Sequence, residues 1–379
     1  MIANQPLFYD FKGSHKTPFF CVNCNSTVLF YAKEVPDMTF YQASTKQKKR
    51  PRLPSAGQVL FGLFGVFCLL LILRNSDIAI EYMSRGLLLC ARTVVPSLFP
   101  FMVLSELIVS GGIGNSLLRR VAGPFRRLFG LSEAGCCAML LGMLCGFPVG
   151  AKCAVLSYEQ GRLSREETER LLCFSNNPSS AFLISAVGVS LWGNRRFGTA
   201  LYATVLVSAC LTGFLLNQLR KKDKKSIPIE PAFTSVIPQA RKGYKLFTDA
   251  IRSATGSILL VCAYVVFFST LVGTLGLVLA SLRAPAWLCT VLFCLFELSG
   301  GVSQASSLGN TMLAAALCAF SAGWSGLSVH CQVLSVCDGK GLSFRKYFLA
   351  KLMQGIVCAL LFGLVLYLFP DLTVPAHGV

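Results

Sequence analysis

The sequence predicts an all-α polytopic membrane protein made of two inverted repeats with broken helices and re-entrant hairpins. Three observations carry that expectation. Hydrophobic residues make up 54% of the chain and charged ones only 14%, against roughly 25% charged in an average soluble domain. Two apolar segments between Gly142 and Ala181 are interrupted by glycine, proline and asparagine where a spanning helix should run on. The second half of the chain repeats the first faintly, break for break.

The charge balance narrows the class further. The net charge is +18, and it sits largely in short clusters outside the apolar segments. That is the pattern of cytoplasmic loops against anionic lipid. No RNA- or DNA-binding motif accompanies it, so membrane lipid is the expected partner and nucleic acid is not. Of the seventeen cysteines, most lie inside apolar segments, where cysteine behaves as a small hydrophobe. The pair Cys21 and Cys24 forms the one CxxC, without a second ligand pair in range. No metal and no cofactor is expected.

Residues 1–55 are too polar to span and carry no clear periodicity. They read as a poorly ordered basic extension, closing on Lys46-Gln-Lys48-Lys49-Arg50-Pro-Arg52. No short apolar core with a small-residue cleavage site opens the chain, so no cleaved signal peptide is expected. This region matches the rest poorly, and Met38 is a candidate for the true start. Residues 56–218 form the first membrane half, beginning with a span over Gln58–Leu73 whose preceding basic run puts the N-terminus in the cytoplasm. A polar connection leads to a second span, Gly86–Gly111, interrupted by Pro96 and Pro100. Arg92 and Glu106 lie within it, and intramembrane charges are functional candidates, although Arg92 is equally placed to snorkel to the interface.

The arginines at 119, 120, 126 and 127 mark a cytoplasmic loop. The next segment, Ala134–Tyr158, carries Gly142, Gly146 and Gly150 at four-residue spacing, for which close helix packing is sufficient explanation. Packing does not explain Pro148 and Lys152. Ser164 with Glu167 three residues on fits a capping box, so a short amphipathic surface helix follows. Its arginines make it cytoplasmic, and Ala134–Tyr158 then enters and leaves on one side as a re-entrant hairpin. The second break, Ser175-Asn176-Asn177-Pro178-Ser179-Ser180, comes next, and then a span over Phe197–Gln218. Residues 219–242 are a basic cytoplasmic linker, 243–370 the second membrane half and 371–379 a tail.

In that second half, Thr248–Gly276 aligns with Gly86–Gly114, Phe296–Gly301 with Cys145–Gly150, and Cys318–Ser325 with Leu172–Ser179, in the same order. The basic flanks give the copies opposite topology, the inverted-repeat design of many secondary transporters. Glu297 stands beside Ser299, Gly300, Gly301, Ser303 and Gln304. His330 and Gln332 follow the Gly323-Trp-Ser325-Gly326 break. A lone histidine is commonly a satisfied interior side chain, but this one lies just past a second break. Tyr347–Phe369 is the last span.

These residues assemble no enzyme. Gly323-Trp-Ser-Gly lacks the glycine placement of a nucleophile elbow, and no HExxH, Walker loop or dinucleotide fingerprint appears. Transport fits the pattern better. Half-helices that end at a break aim N–H groups into a cavity and favour an anionic group. Lys152, with Arg92 or His330, would add positive charge, and Ser175, Asn176, Asn177, Ser179, Ser180, Ser303, Gln304, Ser325 and Gln332 would supply neutral hydrogen bonds. Glu106 and Glu297 would either carry a coupling proton or cation, or neutralise Lys152 and Arg92.

Several motifs then agree in order with one family: Val95-Pro-Ser-Leu-Phe-Pro-Phe101 with Ser105-Glu106-Leu107, Gly146-Phe-Pro-Val-Gly-Ala151, Gly161-Arg-Leu-Ser164 with Glu169-Arg-Leu-Leu172, Phe174-Ser-Asn-Asn-Pro178, and Gly323–Gln332. Over about residues 57–370 the chain resembles the YlbJ family of sporulation integral membrane proteins, within the nucleoside-recognition Gate-domain group. The resemblance implies the paired hairpins and broken helices of concentrative nucleoside transporters. It also implies endospore formation and movement of dipicolinate, a small anion, across the outer forespore membrane. A planar pyridine dicarboxylate suits backbone N–H groups, a lysine and nearby rings such as Phe147, Phe174 and Trp324. The remaining expectations are a carrier of nucleoside or another small solute in the plasma membrane, or a non-transporting scaffold of spore assembly. A homo-oligomer is compatible with each.

Overall fold

A computed structural model describes residues 19–23, 26–30, 56–111, 122–223, 243–308 and 311–373. The expectations on Met38, the basic run at 46–52, Cys24, Arg119, Arg120, Gly114, most of the linker and the end of the tail lie outside these residues. The chain divides into two units, 1–60 and 61–379. In the first, where the sequence suggested little order, β1 (Phe19–Asn23) and β2 (Ser26–Phe30) pair antiparallel with Phe19 opposite Phe30. Both are short runs rich in aromatic and β-branched residues, which suit a pleated ribbon.

All other regular elements among the described residues are helical. α1 spans Ala56–Arg74 and α2 Ser76–Leu89, bent by 101° at Asn75. The polar connection expected here is therefore itself helical. Asn75 makes the corner by donating its side-chain amide to the Leu71 carbonyl at 2.9 Å. α2 runs through a π-turn, Cys90–Val94, into α3 (Val95–Ser110). The prolines at 96 and 100 therefore do not break this segment. Proline removes one N–H and collides with the carbonyl four residues back, and the wider π-turn just ahead of Pro96 accommodates that within one continuous rod.

α4 (Ala122–Phe129) leads at 89° into α5 (Glu133–Cys145). α5 and α6 (Val149–Glu159) pack against each other as a helical hairpin folded at Gly146–Pro148. With 13 and 11 residues, its arms are about 20 and 16 Å long, too short to cross a hydrocarbon core of about 30 Å. α7 (Arg165–Ser175) follows, then an extended break, a π-helix at Ala181–Leu191 and the long α8 (Arg195–Asp223). The capping box at the start of α7 forms only in part. Ser164 Oγ accepts from the Glu167 N–H at 3.2 Å, but the Glu167 carboxylate reaches across to the N–H of Ser132, at the start of α5.

The second half consists of a long helix α9 (Gly243–Ser281), a short hairpin α10 (Ala286–Phe296) and α11 (Leu298–Ser306), a broken pair α12 (Thr311–Trp324) and α13 (Gly326–Val336), and a long α14 (Arg345–Leu368). Among the described residues four helices are long and apolar enough to cross a membrane, or up to six if each bent pair counts as one span. The molecule is thus an integral, multi-pass membrane protein. Its apolar exposure agrees: α1 alone presents Leu60, Phe61, Leu63, Leu70 and Leu73 at more than half exposure, a surface suited to acyl chains and far too apolar for water. The cysteines described from Cys68 to Cys358 are free and mostly buried, as small hydrophobes should be.

The halves interleave. One core cluster joins α3, α5, α6 and α7 to α9 and the ends of α13 and α14. Another joins the π-helix and α8 to α11, α12 and α14. Helix ends from both halves therefore meet in the interior.

Candidate functional site

Each break leaves backbone groups that lipid cannot satisfy, so the question is where those groups find partners. At the first break, the Phe147 N–H donates to the Asn177 carbonyl at 2.8 Å. Tyr202 Oη, from α8, donates to the carbonyl of Met143 in the last turn of α5 at 2.9 Å. Gly142 and Gly150 face each other across the hairpin and form a notch that receives the Ser175 carbonyl oxygen. The first and second breaks are therefore locked together, backbone to backbone. The second-half hairpin is built alike. Gly301 on α11 lies against the Cys294 backbone and the Ser321 hydroxyl, and Gly326 lies against the backbone of Glu297 and Leu298. Trp324 Nε1 closes the last turn of α10 by donating to the Leu295 carbonyl at 3.0 Å. In the internal alignment Gly301 stands for Gly150 and Ser321 for Ser175, but Gly150 meets a backbone carbonyl where Gly301 meets the Ser321 hydroxyl.

All four breaks reach one cavity of about 50 Å³. Phe147 comes from the first, Ser179 and Phe182 from the second, and Glu297, Leu298 and Ser299 from the third. Ser328, Val329 and Gln332 come from the first turns after the fourth. Leu89, Val94 and Leu98 close one wall, with Val261 and Val265 of α9. The N-terminal ends of α6, the π-helix, α11 and α13 thus gather around it. Such ends carry the positive pole of the helix and unpaired N–H groups. At α11 that pole is already answered, because the Glu297 carboxylate accepts from the N–H groups of Ser299 and Gly300. Glu297 is also the one charged residue in the cavity lining. At water-sized packing the space holds about three to five waters.

The expected site residues divide into four groups. Ser179, Glu297, Ser299 and Gln332 line the cavity, and Gly300 supplies its N–H to Glu297. Buried just behind lie Ser175, Asn176, Asn177, Ser325 and His330. Asn177 Nδ2 donates to the Phe174 carbonyl at 2.7 Å and its Oδ1 accepts from Gln354 Nε2 at 2.7 Å. His330 Nδ1 lies 2.8 Å from Tyr347 Oη, with the Trp324 ring edge-on to it at 4.2 Å between centroids.

Lys152 and Glu106 form the third group. They pair at 2.7 Å, largely buried between α6 and α3, so the positive charge of Lys152 is neutralised there and does not enter the cavity. The fourth group stands apart from it. Arg92 is exposed on the π-turn, and Ser303 and Gln304 are exposed on α11. One turn of helix carries both of them past the capped end that meets the cavity. Ser180 is half-buried at the start of the π-helix and Gly301 serves close packing.

Sequence reasoning passed over two residues at the centre. Lys351 and Gln354 on α14 are both fully buried, and Lys351 Nζ donates to the Asn176 carbonyl and to Gln354 Oε1, each at 3.0 Å. Lys351 follows Lys340, Arg345 and Lys346 in the chain and reads as one more basic anchor. The available signal was spacing. Tyr347, Lys351 and Gln354 share one face of an otherwise apolar helix. Among the described residues no His, Cys, Asp and Glu group could hold a metal.

Comparison with known proteins bears on what such an interior is for. The chain is 26% identical over 336 residues, 81% of its length, to the sporulation integral membrane protein YlbJ of Bacillus subtilis (strain 168), of which the match covers 82%. That similarity supports the family resemblance read from the motifs. No family model matches the chain, and no solved structure does.

Proposed function

We propose that this chain is a sporulation-associated membrane carrier that moves dipicolinate, a small planar dianion, across the outer forespore membrane. In this reading its halves are inverted Gate-type repeats and its N-terminus is cytoplasmic. One observation carries the reading: four interrupted helical elements, two from each half, bring their N-terminal ends to a single interior cavity, the usual location of a transporter's binding site. The relative's name supplies the link to sporulation. At about 50 Å³ the cavity is narrower than a pyridine dicarboxylate, so in this reading the surrounding helix ends part to admit the solute.

A second reading has its own support. The single charged side chain lining the cavity is Glu297, and two phenyl rings, Phe147 and Phe182, line it as well. That set suits a neutral heteroaromatic solute with hydroxyl donors, such as a nucleoside, at least as well as a dianion. Flux of labelled dipicolinate and nucleosides into proteoliposomes carrying wild type or Glu297→Gln separates the two. The glutamine oxygen can still cap α11. For a dianion, loss of the negative charge should hold or raise uptake. For a nucleoside that donates to the carboxylate, uptake should fall about ten- to a hundredfold. In the native host, deletion of the gene should leave spores without dipicolinate while the mother cell still makes it. Normal spore dipicolinate rejects the first reading, and absence of flux for every solute in active vesicles rejects both.

A further inference from the structure

The second break ends α7 with its C-terminal carbonyls inside the protein. These are the negative pole of the helix, and unwound carbonyls at such half-helix ends are where carriers commonly hold a coupling cation. Two oxygens gather at this point. The Asn176 carbonyl and Gln354 Oε1 both accept from Lys351 Nζ at 3.0 Å. The Asn176 side chain, fully buried, has neither its Oδ1 nor its Nδ2 hydrogen-bonded. Neither partner of the amine carries a net charge, so Lys351 is not half of an ion pair. The ionisable groups that interact with it electrostatically include Cys173 on α7, His330 on α13 and Cys358 on its own helix. Nor does the lysine snorkel, since the whole side chain is shielded.

We propose that Lys351 supplies, in covalently tethered form, the monovalent cation that the broken end of α7 would otherwise take from solution. An ammonium of this size and donor count substitutes for a hydrated alkali ion stripped of its water, and its presence repels a second cation from the same oxygens. It follows that the protein neither binds Na⁺ or K⁺ at this break nor couples to them through it. The tether has a mechanical consequence. Lys351 and Gln354 bind α14 to residues 176 and 177, so the second break and α14 move as one body. The coupling part of this inference rests on the carrier reading, whereas the cation site itself does not.

The test separates those two parts by using the full-length protein in detergent, with melting temperature as readout. Wild type should melt at the same temperature in sodium, potassium or choline chloride at equal ionic strength. A specific shift with Na⁺ or K⁺ overturns the proposal without recourse to any variant. Lys351→Ala should lose on the order of 5–10 °C and regain part of it with Na⁺ or ethylammonium, which fit the vacated space, but not with choline or ethanol. Lys351→Met, which fills that space with an uncharged stem, should show the loss without the rescue. If Lys351→Met melts with wild type, or if no small cation restores Lys351→Ala, the lysine is packing alone and the proposal fails. Vesicle flux that is unchanged when Na⁺ is replaced by choline extends the result to transport. Absence of all flux beside intact cation rescue rejects the carrier reading and leaves the site standing.

Discussion

Gly142→Ala and Gly150→Ala should each strip the protein of most of its folded yield. A methyl group at either position would land on the Ser175 carbonyl oxygen, and at Gly142 it would also come within 2.6 Å of the Gly150 Cα. These neighbours are backbone in packed helices, so no side-chain rotation relieves the contact. The hairpin arms must part or the Ser175 peptide must leave the notch, and either movement pulls Phe147 from Asn177. Overpacking of a well-filled interior typically costs about 1–3 kcal/mol, and here the lost Phe147–Asn177 hydrogen bond adds about 1 kcal/mol. Both substitutions displace the same carbonyl, so the double variant should be little worse than either single one, well short of additive. Gly256→Ala is the control. It lies in α9 with nothing within 4 Å of the added methyl, and replacing a mid-helix glycine there should stabilise by about 0.5–1 kcal/mol. Thermal unfolding in one detergent measures all four. Wild-type melting of Gly142→Ala would show that the notch is not tight.

The same positions show what the sequence made legible. Glycine, proline and paired asparagines inside apolar runs are conspicuous because each is out of place there, so all four breaks could be read from composition and order. The Glu106–Lys152 pair matches one of two alternatives open in the sequence, since intramembrane charges either neutralise one another or carry a coupling ion. Direction was harder. Ser303 and Gln304 belong to the right helix, but only its first turn meets the cavity, and nothing local marks where the end cap stops. Lys351 was hidden by its neighbours: a lysine six residues into α14 looks like an interfacial anchor until the helix is found to enter the core at Tyr347. The Pro96 and Pro100 segment misled in the opposite sense, since a π-turn reconciles proline with a continuous helix and leaves no mark in the sequence. Glu167 shows the limit of local motifs. Its spacing from Ser164 is that of a capping box, yet its carboxylate caps a different helix, brought near only by tertiary packing.

Asn177→Ala is expected to be the most damaging single polar-to-apolar change in the described interior. The side chain holds two helices at once: its Nδ2 satisfies the Phe174 carbonyl at the end of α7, and its Oδ1 takes the Gln354 Nε2 of α14. Alanine leaves both of those groups unpaired in the buried interior. At about 1–3 kcal/mol for each buried group left unsatisfied, the loss is roughly 2–6 kcal/mol, comparable with the whole stability of many domains. Gln354→Ala should cost somewhat less. It unpairs the Asn177 oxygen and removes one of the two acceptors of Lys351, but the Asn176 carbonyl continues to hold the amine. The decisive quantity is the double variant. Because one hydrogen bond joins the two residues, removing both should cost less than the sum of the singles by about 0.5–3 kcal/mol, measured by denaturant titration in a fixed detergent. Strict additivity would mean that Asn177 and Gln354 act separately, and the second break would then be free to move without α14. Restoration of the Asn177→Ala loss by Gln354→Leu, an apolar replacement that no longer presents an unpaired amide to the vacated site, would identify the penalty as one of buried polarity and not of lost packing.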